Sequence, residues 1–183
     1  MSQPKWMLPS IESLTEFPAQ QIAKQLGALC RYAGATPDHY SVARHSLVVA
    51  ALAPDDPQHK MAALLHDAHE ALTGDILRPM TRLLSMSSRM EILCEQQAID
   101  RQLYSLIGFD PSIAVLNAVS TADDTACRLE MLLLGMTASE ITDALPDLRE
   151  AAWQLAFHGN AQIDAMHWLA AFNSTRKVLE MLQ

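Results

Sequence analysis

Met61-Ala-Ala-Leu-Leu-His66-Asp67-Ala-His69-Glu70-Ala-Leu72 is the stretch that decides how this 183-residue chain folds. Leu64, Leu65, Ala68 and Leu72 recur at spacings of three and four, in a run too long and too rich in Ala and Leu for a strand. It predicts a helix. Inside this apolar run His66 and Asp67 place two metal-capable side chains next to each other. Asp67 follows His66 by about 100° of helical rotation, so both reach one ion from adjacent edges, while Glu70 shares a face with His66.

The flanking sequence continues the pattern. A helix starting at the N-cap Ser41 carries Val42, His45, Val48 and Val49 and ends at Pro54-Asp55-Asp56-Pro57. The His-Asp helix stops at Thr73-Gly74, and Asp75 to Pro79 follow as a connector or single turn. Upstream, a helix opens at Phe17-Pro18 and is expected to run through Ile22 and Leu26 to Arg31-Tyr32. Downstream, the capping box Ser88-Arg-Met-Glu91 starts a long helix to about Ile107, closed by Gly108. Pro111 opens another, which carries Val115, Val119, Ala122, Asp123, Ala126 and Leu129 to about Leu134. A second capping box, Thr137-Ala-Ser-Glu140, leads into shorter helices broken by Pro146 and Gly159-Asn160. Alternating β-branched or aromatic runs do not occur, and the expected class is all-α.

No linker or change of composition divides residues 1–183, which read as a single domain. Apolar residues make up 50% and charged residues 19%, against roughly 45–50% and about 25% in soluble domains. The excess suits a homo-oligomer, a dimer or higher, and equally a tight monomeric core. A net charge of −8 without a Lys/Arg cluster speaks against duplex nucleic acid, which needs basic side chains against its phosphates. Small anionic substrates need only a metal and one or two arginines. Cys30, Cys94 and Cys127 show no CxxC spacing and read as reduced thiols of a cytosolic protein. Neither a secretory signal nor a membrane-spanning run is expected.

A lone histidine on an apolar helix is more often a hydrogen-bonded core residue than a ligand. Here two features favour a ligand. His45 lies on the preceding helix, which packs antiparallel to the His66 helix across a short loop. Asp67 and Asp123 interrupt apolar periodicity, and a buried carboxylate is costly unless paired or metal-bound. Two imidazoles and two carboxylates suit Mn²⁺, Fe²⁺, Co²⁺ or Zn²⁺ better than Ca²⁺. Asp124 competes with Asp123 for the fourth position. Glu70 reads either as an exposed helix residue or as a group that handles the proton of a bound water or leaving oxygen. His66-x-x-His69-Glu70 lacks the order of a zinc-protease motif, so His69 reads either as a residue that supports the ligands from behind or as one of the pocket edge.

Taken together, His45, His66-Asp67 and Asp123 resemble the signature of the HD-domain phosphohydrolases. Tyr40-Ser-Val-Ala-Arg-His45-Ser, Leu65-His66-Asp67-Ala-His-Glu70-Ala-Leu-Thr-Gly74-Asp75 and Thr121-Ala-Asp123 look like blocks of the bacterial 5′-deoxynucleotidases and their phage relatives, among them phage dATP triphosphohydrolases. The resemblance covers about residues 18–135 and leaves the C-terminal helices, 137–183, without a motif. It implies an HD-type helical bundle with one divalent ion (Co²⁺, Mn²⁺, Zn²⁺ or Fe²⁺) held by His45, His66, Asp67 and Asp123. By the same transfer Glu70 and Asp75 are catalytic, Arg31 clamps a phosphate, and Tyr32 crowds the sugar against a 2′-hydroxyl.

Two positions depart from that family. Arg44 stands where relatives carry Glu, Gln or a similar residue, and Thr81 stands where they tend to place Lys, two residues beyond Pro79. Arg78 or Arg82 is left to replace that cation beside Pro79 in the substrate set. The implied function is removal of the 5′-phosphate from 2′-deoxynucleotides in the cytoplasm of a bacterium or a phage-infected host. The alternatives are a dNTP triphosphohydrolase, with additional Mg²⁺ on its substrate, and a non-catalytic metal-containing nucleotide-binding module.

Overall fold

A computed structural model describes residues 14–133 and 159–182, apart from the side chains of Arg78, Leu132 and Leu133. They form an all-α fold: α1 (Ala19–Ala28), a 3₁₀ turn (Arg31–Gly34), α2 (Val42–Leu52), α3 (Pro57–Leu65), α4 (Glu70–Thr73), α5 (Arg78–Leu83), α6 (Met86–Ser105), α7 (Ile113–Leu133) and α8 (Ala161–Leu182). The capping box at Thr137 and the break at Pro146 lie outside the described residues.

Helix α2 is the centre of the molecule. Every residue from Val42 to Ala50 is buried, which a helix achieves only when neighbours cover all its sides. α3 packs beside it, α7 lies against both, and α1 and α8 cover the remaining flank. Gly27 lets α1 and α8 meet closely, since a Cβ there would stand 2.4 Å from the Ala161 carbonyl oxygen. α8 adds Trp168 and Phe172 to the core, with the Trp168 indole donating to the Leu64 carbonyl at 3.0 Å and Phe172 stacked on Phe17. α6, by contrast, buries only Leu103 and exposes Met86, Met90 and Leu93.

Three boundaries differ from the sequence expectation. α1 ends at Ala28 rather than at Tyr32, because Leu29 and Cys30 turn extended. There they pair with the segment leading into α2, the Arg31 N–H donating to the Tyr40 carbonyl at 2.9 Å and the Val42 N–H to that of Leu29 at 3.0 Å. α6 starts a turn earlier than the Ser88 box: Ser85 is its cap, accepting from the Ser88 N–H at 3.1 Å. The third difference matters most. The expected continuous helix through the His-Asp pair stops at Leu65 and resumes at Glu70.

Between those two helices the N–H groups of Ala68, Glu70, Ala71 and Leu72 bond three residues back instead of four. That tighter winding advances each residue by about 120° rather than 100°. It also lets His66, at the end of α3, donate from Nδ1 to the Ala63 carbonyl at 2.8 Å.

Candidate metal centre

Side chains from three elements converge where α2, the turn after α3, and α7 meet. His45 comes from the centre of α2 and is fully buried. His66 and Asp67 come from the turn, and Asp123 from α7, where its neighbour Asp124 is exposed. His45 Nε2 lies 3.2 Å from His66 Nε2, 3.6 Å from Asp67 Oδ2 and 3.0 Å from Asp123 Oδ1. His66 Nε2 lies 3.1 Å from Asp67 Oδ2 and 3.9 Å from Asp123 Oδ1.

The three shorter separations, 3.0, 3.1 and 3.2 Å, fit neighbouring ligands of a shared ion, and those of 3.6 and 3.9 Å are wider. Ligand atoms at about 2.0–2.2 Å from a first-row metal stand roughly 3.0–3.5 Å apart at neighbouring positions. The tautomers fit as well. His45 Nδ1 faces Glu130 Oε1 at 2.5 Å and His66 Nδ1 faces a carbonyl, so each Nδ1 carries a hydrogen and each Nε2 offers its lone pair inward. Two imidazole nitrogens 3.2 Å apart beside two carboxylates take up either a shared metal ion or a proton on one of the rings.

Two other groups of possible ligands are His45 with Cys127 and Glu130, and Asp67 with His69 and Glu70. In the first, His45 Nδ1 is already bonded to Glu130; in the second, His69 Nδ1 is bonded to Asp100 at 3.0 Å. His45, His66 and Asp67 are the group that Asp123 joins, its Oδ1 lying 3.0 Å from His45 Nε2, with both imidazoles turning Nε2 toward the carboxylates.

The electrostatics carry the same demand. Burial opposes a charged His66, but Asp67 and then Asp123 outweigh it and carry the imidazole up to about 9. Burial would likewise protonate Asp67, yet His66, His45 and Arg31 hold it far below the carboxylate range. Glu70 is pushed the opposite way, up to about 9, by burial and then by the charges of Asp67 and Asp75. Its Oε2 is buried without a hydrogen-bond partner. Burial also raises Asp75, and it pushes the Cys127 thiol up to about 12 with help from Asp123.

A cavity of about 330 Å³ opens beside this cluster, lined among others by Arg31, Tyr32, Glu70, Asp75, Pro79 and Asp123. Arg31 and Tyr32 sit in the 3₁₀ turn, where Tyr32 and Ala33 hold left-handed backbone at φ 56° and 54°. Burial works against the charge on Arg31, and Glu130 and Asp67 restore it. Its Nη1 is 3.6 Å from Asp67 Oδ2, and its buried Nε has no hydrogen-bond partner. Arg82 is exposed and stands outside the cavity lining, with its carbonyl accepting from Arg89 Nη2. The Arg78 side chain lies outside the described residues.

Sequence reasoning missed the residues behind the cluster. Glu130 accepts from both the Tyr32 and Tyr40 hydroxyls at 2.7 Å, as well as facing His45. Burial would raise its carboxyl, but the bond from His45 and the charges of His45 and Arg31 hold it below the usual range. Its one sequence signal is its place seven residues beyond Asp123, two turns along the same helix face. Arg44, the departure noted beside His45, forms a buried pair with Asp164 of α8, 2.8 Å from Nη2 to Oδ1. Asp164 also accepts from the Ser41 hydroxyl at 2.7 Å. Nothing in the sequence links residues so far apart.

No protein-family model matches the chain. A stretch of 85 residues is 40% identical to the uncharacterized protein YfdR of Escherichia coli (strain K12), covering 46% of this chain and 46% of that protein. The match spans about half the length of that relative. Among the described residues no helix is long and apolar enough to cross a membrane.

Proposed function

We propose that the chain is a divalent-metal-dependent phosphohydrolase that removes the 5′-phosphate of 2′-deoxynucleoside monophosphates. The observation that carries this reading is the convergence of His45, His66, Asp67 and Asp123 beside a cavity that Glu70, a largely buried carboxyl, also lines. The nucleotide and its deoxyribose come from the resemblance of the sequence blocks to the HD-domain deoxynucleotidases.

His45, His66, Asp67 and Asp123 would hold Mn²⁺, Co²⁺, Zn²⁺ or Fe²⁺, which supplies Lewis acidity toward a phosphoryl oxygen. Arg31 offsets charge on the transferred phosphoryl group from the cavity wall. Water attacks phosphorus, the P–O5′ bond breaks, and the 5′-oxygen leaves with a proton. Glu70, which lines the same cavity, is the group assigned to that proton. Asp75 borders the same space. A monophosphate suits the charge balance better than a triphosphate. Among the described lining residues Arg31 is the one cation, against the carboxyl groups of Asp67, Asp75 and Asp123.

Product analysis tests this directly. With Mn²⁺ or Co²⁺, deoxynucleoside monophosphates should release inorganic phosphate faster than ribonucleotides do. Tripolyphosphate from a dNTP would instead identify the triphosphohydrolase. No turnover of any nucleotide at full metal occupancy would leave a binding module. Asp67→Ala should abolish metal binding, whereas Glu70→Gln should bind metal and lose about 10²–10⁴-fold in turnover. Full activity in Glu70→Gln would remove its assigned role.

A further inference from the structure

Glu130 takes no part in the chemistry above, yet it is 1% exposed and bonded on every side. Oε1 lies 2.5 Å from His45 Nδ1 and accepts from the Tyr40 hydroxyl at 2.7 Å. Oε2 accepts from the Tyr32 hydroxyl at 2.7 Å and lies 3.4 Å from Arg31 Nε.

The two oxygens serve different ends of the site. A carboxylate facing Nδ1 keeps the hydrogen of His45 there and leaves Nε2 as the lone-pair nitrogen that a metal requires. On the other side, Tyr32 lines the cavity with its backbone in the left-handed region, at φ 56°. A non-glycine residue keeps that conformation only where its surroundings hold it. The Tyr32 hydroxyl is anchored on Glu130, and the same turn carries Arg31.

We propose that Glu130 is a positioning residue for both halves of the site: one oxygen orients His45 for the metal, and the other sets the Arg31–Tyr32 turn against the substrate. This rests on the metal-dependent reading. Removing the carboxylate therefore disturbs metal and substrate together, whereas removing one of its bonds disturbs one end alone.

The test uses the full chain and the variants Glu130→Ala, Glu130→Gln and Tyr32→Phe. Mn²⁺ affinity is measured by calorimetry without substrate, and kcat and KM with a deoxynucleoside monophosphate. Glu130→Ala should weaken Mn²⁺ binding about 10–100-fold and raise KM. Tyr32→Phe should raise KM and leave Mn²⁺ affinity unchanged.

Glu130→Gln keeps a carbonyl for His45 but turns an N–H₂ toward Arg31 Nε–H. It should retain more Mn²⁺ affinity than Glu130→Ala and share the raised KM of Tyr32→Phe. Near-isosteric Glu130→Gln decides the matter if Glu130→Ala does not fold. Wild-type Mn²⁺ affinity, kcat and KM in Glu130→Gln would overturn the role of Glu130 and leave the hydrolase reading standing. Glu130-dependent Mn²⁺ binding in a chain that turns over no nucleotide would overturn the hydrolase reading and leave the His45 half of the inference standing.

Discussion

In the metal-free protein Asp67 and Asp123 outweigh burial and raise the proton affinity of His66, while burial, and then the charges of Asp67 and Asp75, raises that of Glu70. Both folded-state values lie above the ordinary 6.5 and 4.5. The native state thus binds more protons than the unfolded chain, and stability falls as pH rises. Chelated protein should lose the stability these groups supply as pH rises from 4.5, where Glu70 begins, through 6.5, where His66 joins it, to about 9, a loss to be read as a falling melting temperature in thermal unfolding with EDTA. The His66 proton competes with metal, so Mn²⁺ affinity should rise with pH over that range by up to about tenfold per unit. A pH-independent Mn²⁺ affinity would mean that His66 is not a ligand. Asp124 shows how finely this is set: one step along α7 from Asp123, it is exposed.

At the scale of elements, the decisive feature is the interruption between α3 and α4. There the backbone bonds three residues back instead of four, and the side chains of both His66 and Asp67 lie against His45. Gly74 closes this device. It adopts φ 78° and ψ 162°, and its N–H donates to the Glu70 carbonyl at 2.8 Å. A side chain there would meet nothing within 4 Å, so the cost of Gly74→Ala is conformational, about 1–3 kcal/mol. Urea denaturation should show that loss, and turnover should fall with it because Glu70 and Asp75 flank the turn. An unchanged midpoint would mean that the turn adapts to a β-carbon.

At the scale of the molecule, the buried Arg44–Asp164 pair fastens α8 to the helix that carries His45. A buried pair contributes little net stability, but breaking one half leaves an uncompensated charge. Arg44→Met should therefore destabilise by about 3–5 kcal/mol, and Arg44→Met with Asp164→Leu should recover most of it. Denaturant midpoints of the two variants decide this. Equal loss in both would mean that the pair is worth more than its burial costs. At the level of sequence Arg44 is a departure from the blocks this chain resembles. In the fold it is the partner that lets α8 carry a buried carboxylate.

Periodicity and caps made the helices legible: Ser41 caps α2, accepting from the Arg44 N–H at 3.1 Å, and Gly74 ends α4 with positive φ. Both are local events, decided by hydrogen bonds within a few residues. The adjacency of His66 and Asp67 and the antiparallel approach of His45 were legible for the same reason, since a short connection places neighbouring helices side by side. The break at His66, the early end of α1 and the engagement of Glu130 and Asp164 were not. Each depends on a partner brought near by packing: Tyr40 pairing with Arg31, Glu130 reaching back 85 residues to His45, Asp164 reaching 120 to Arg44. The amino-acid sequence alone determined the helical class and the residue types of a candidate metal site. Only the tertiary structure decided which carboxylates converge with the two imidazoles and which stand behind them, because burial and a shared proton belong to atoms in contact, not to positions along a chain.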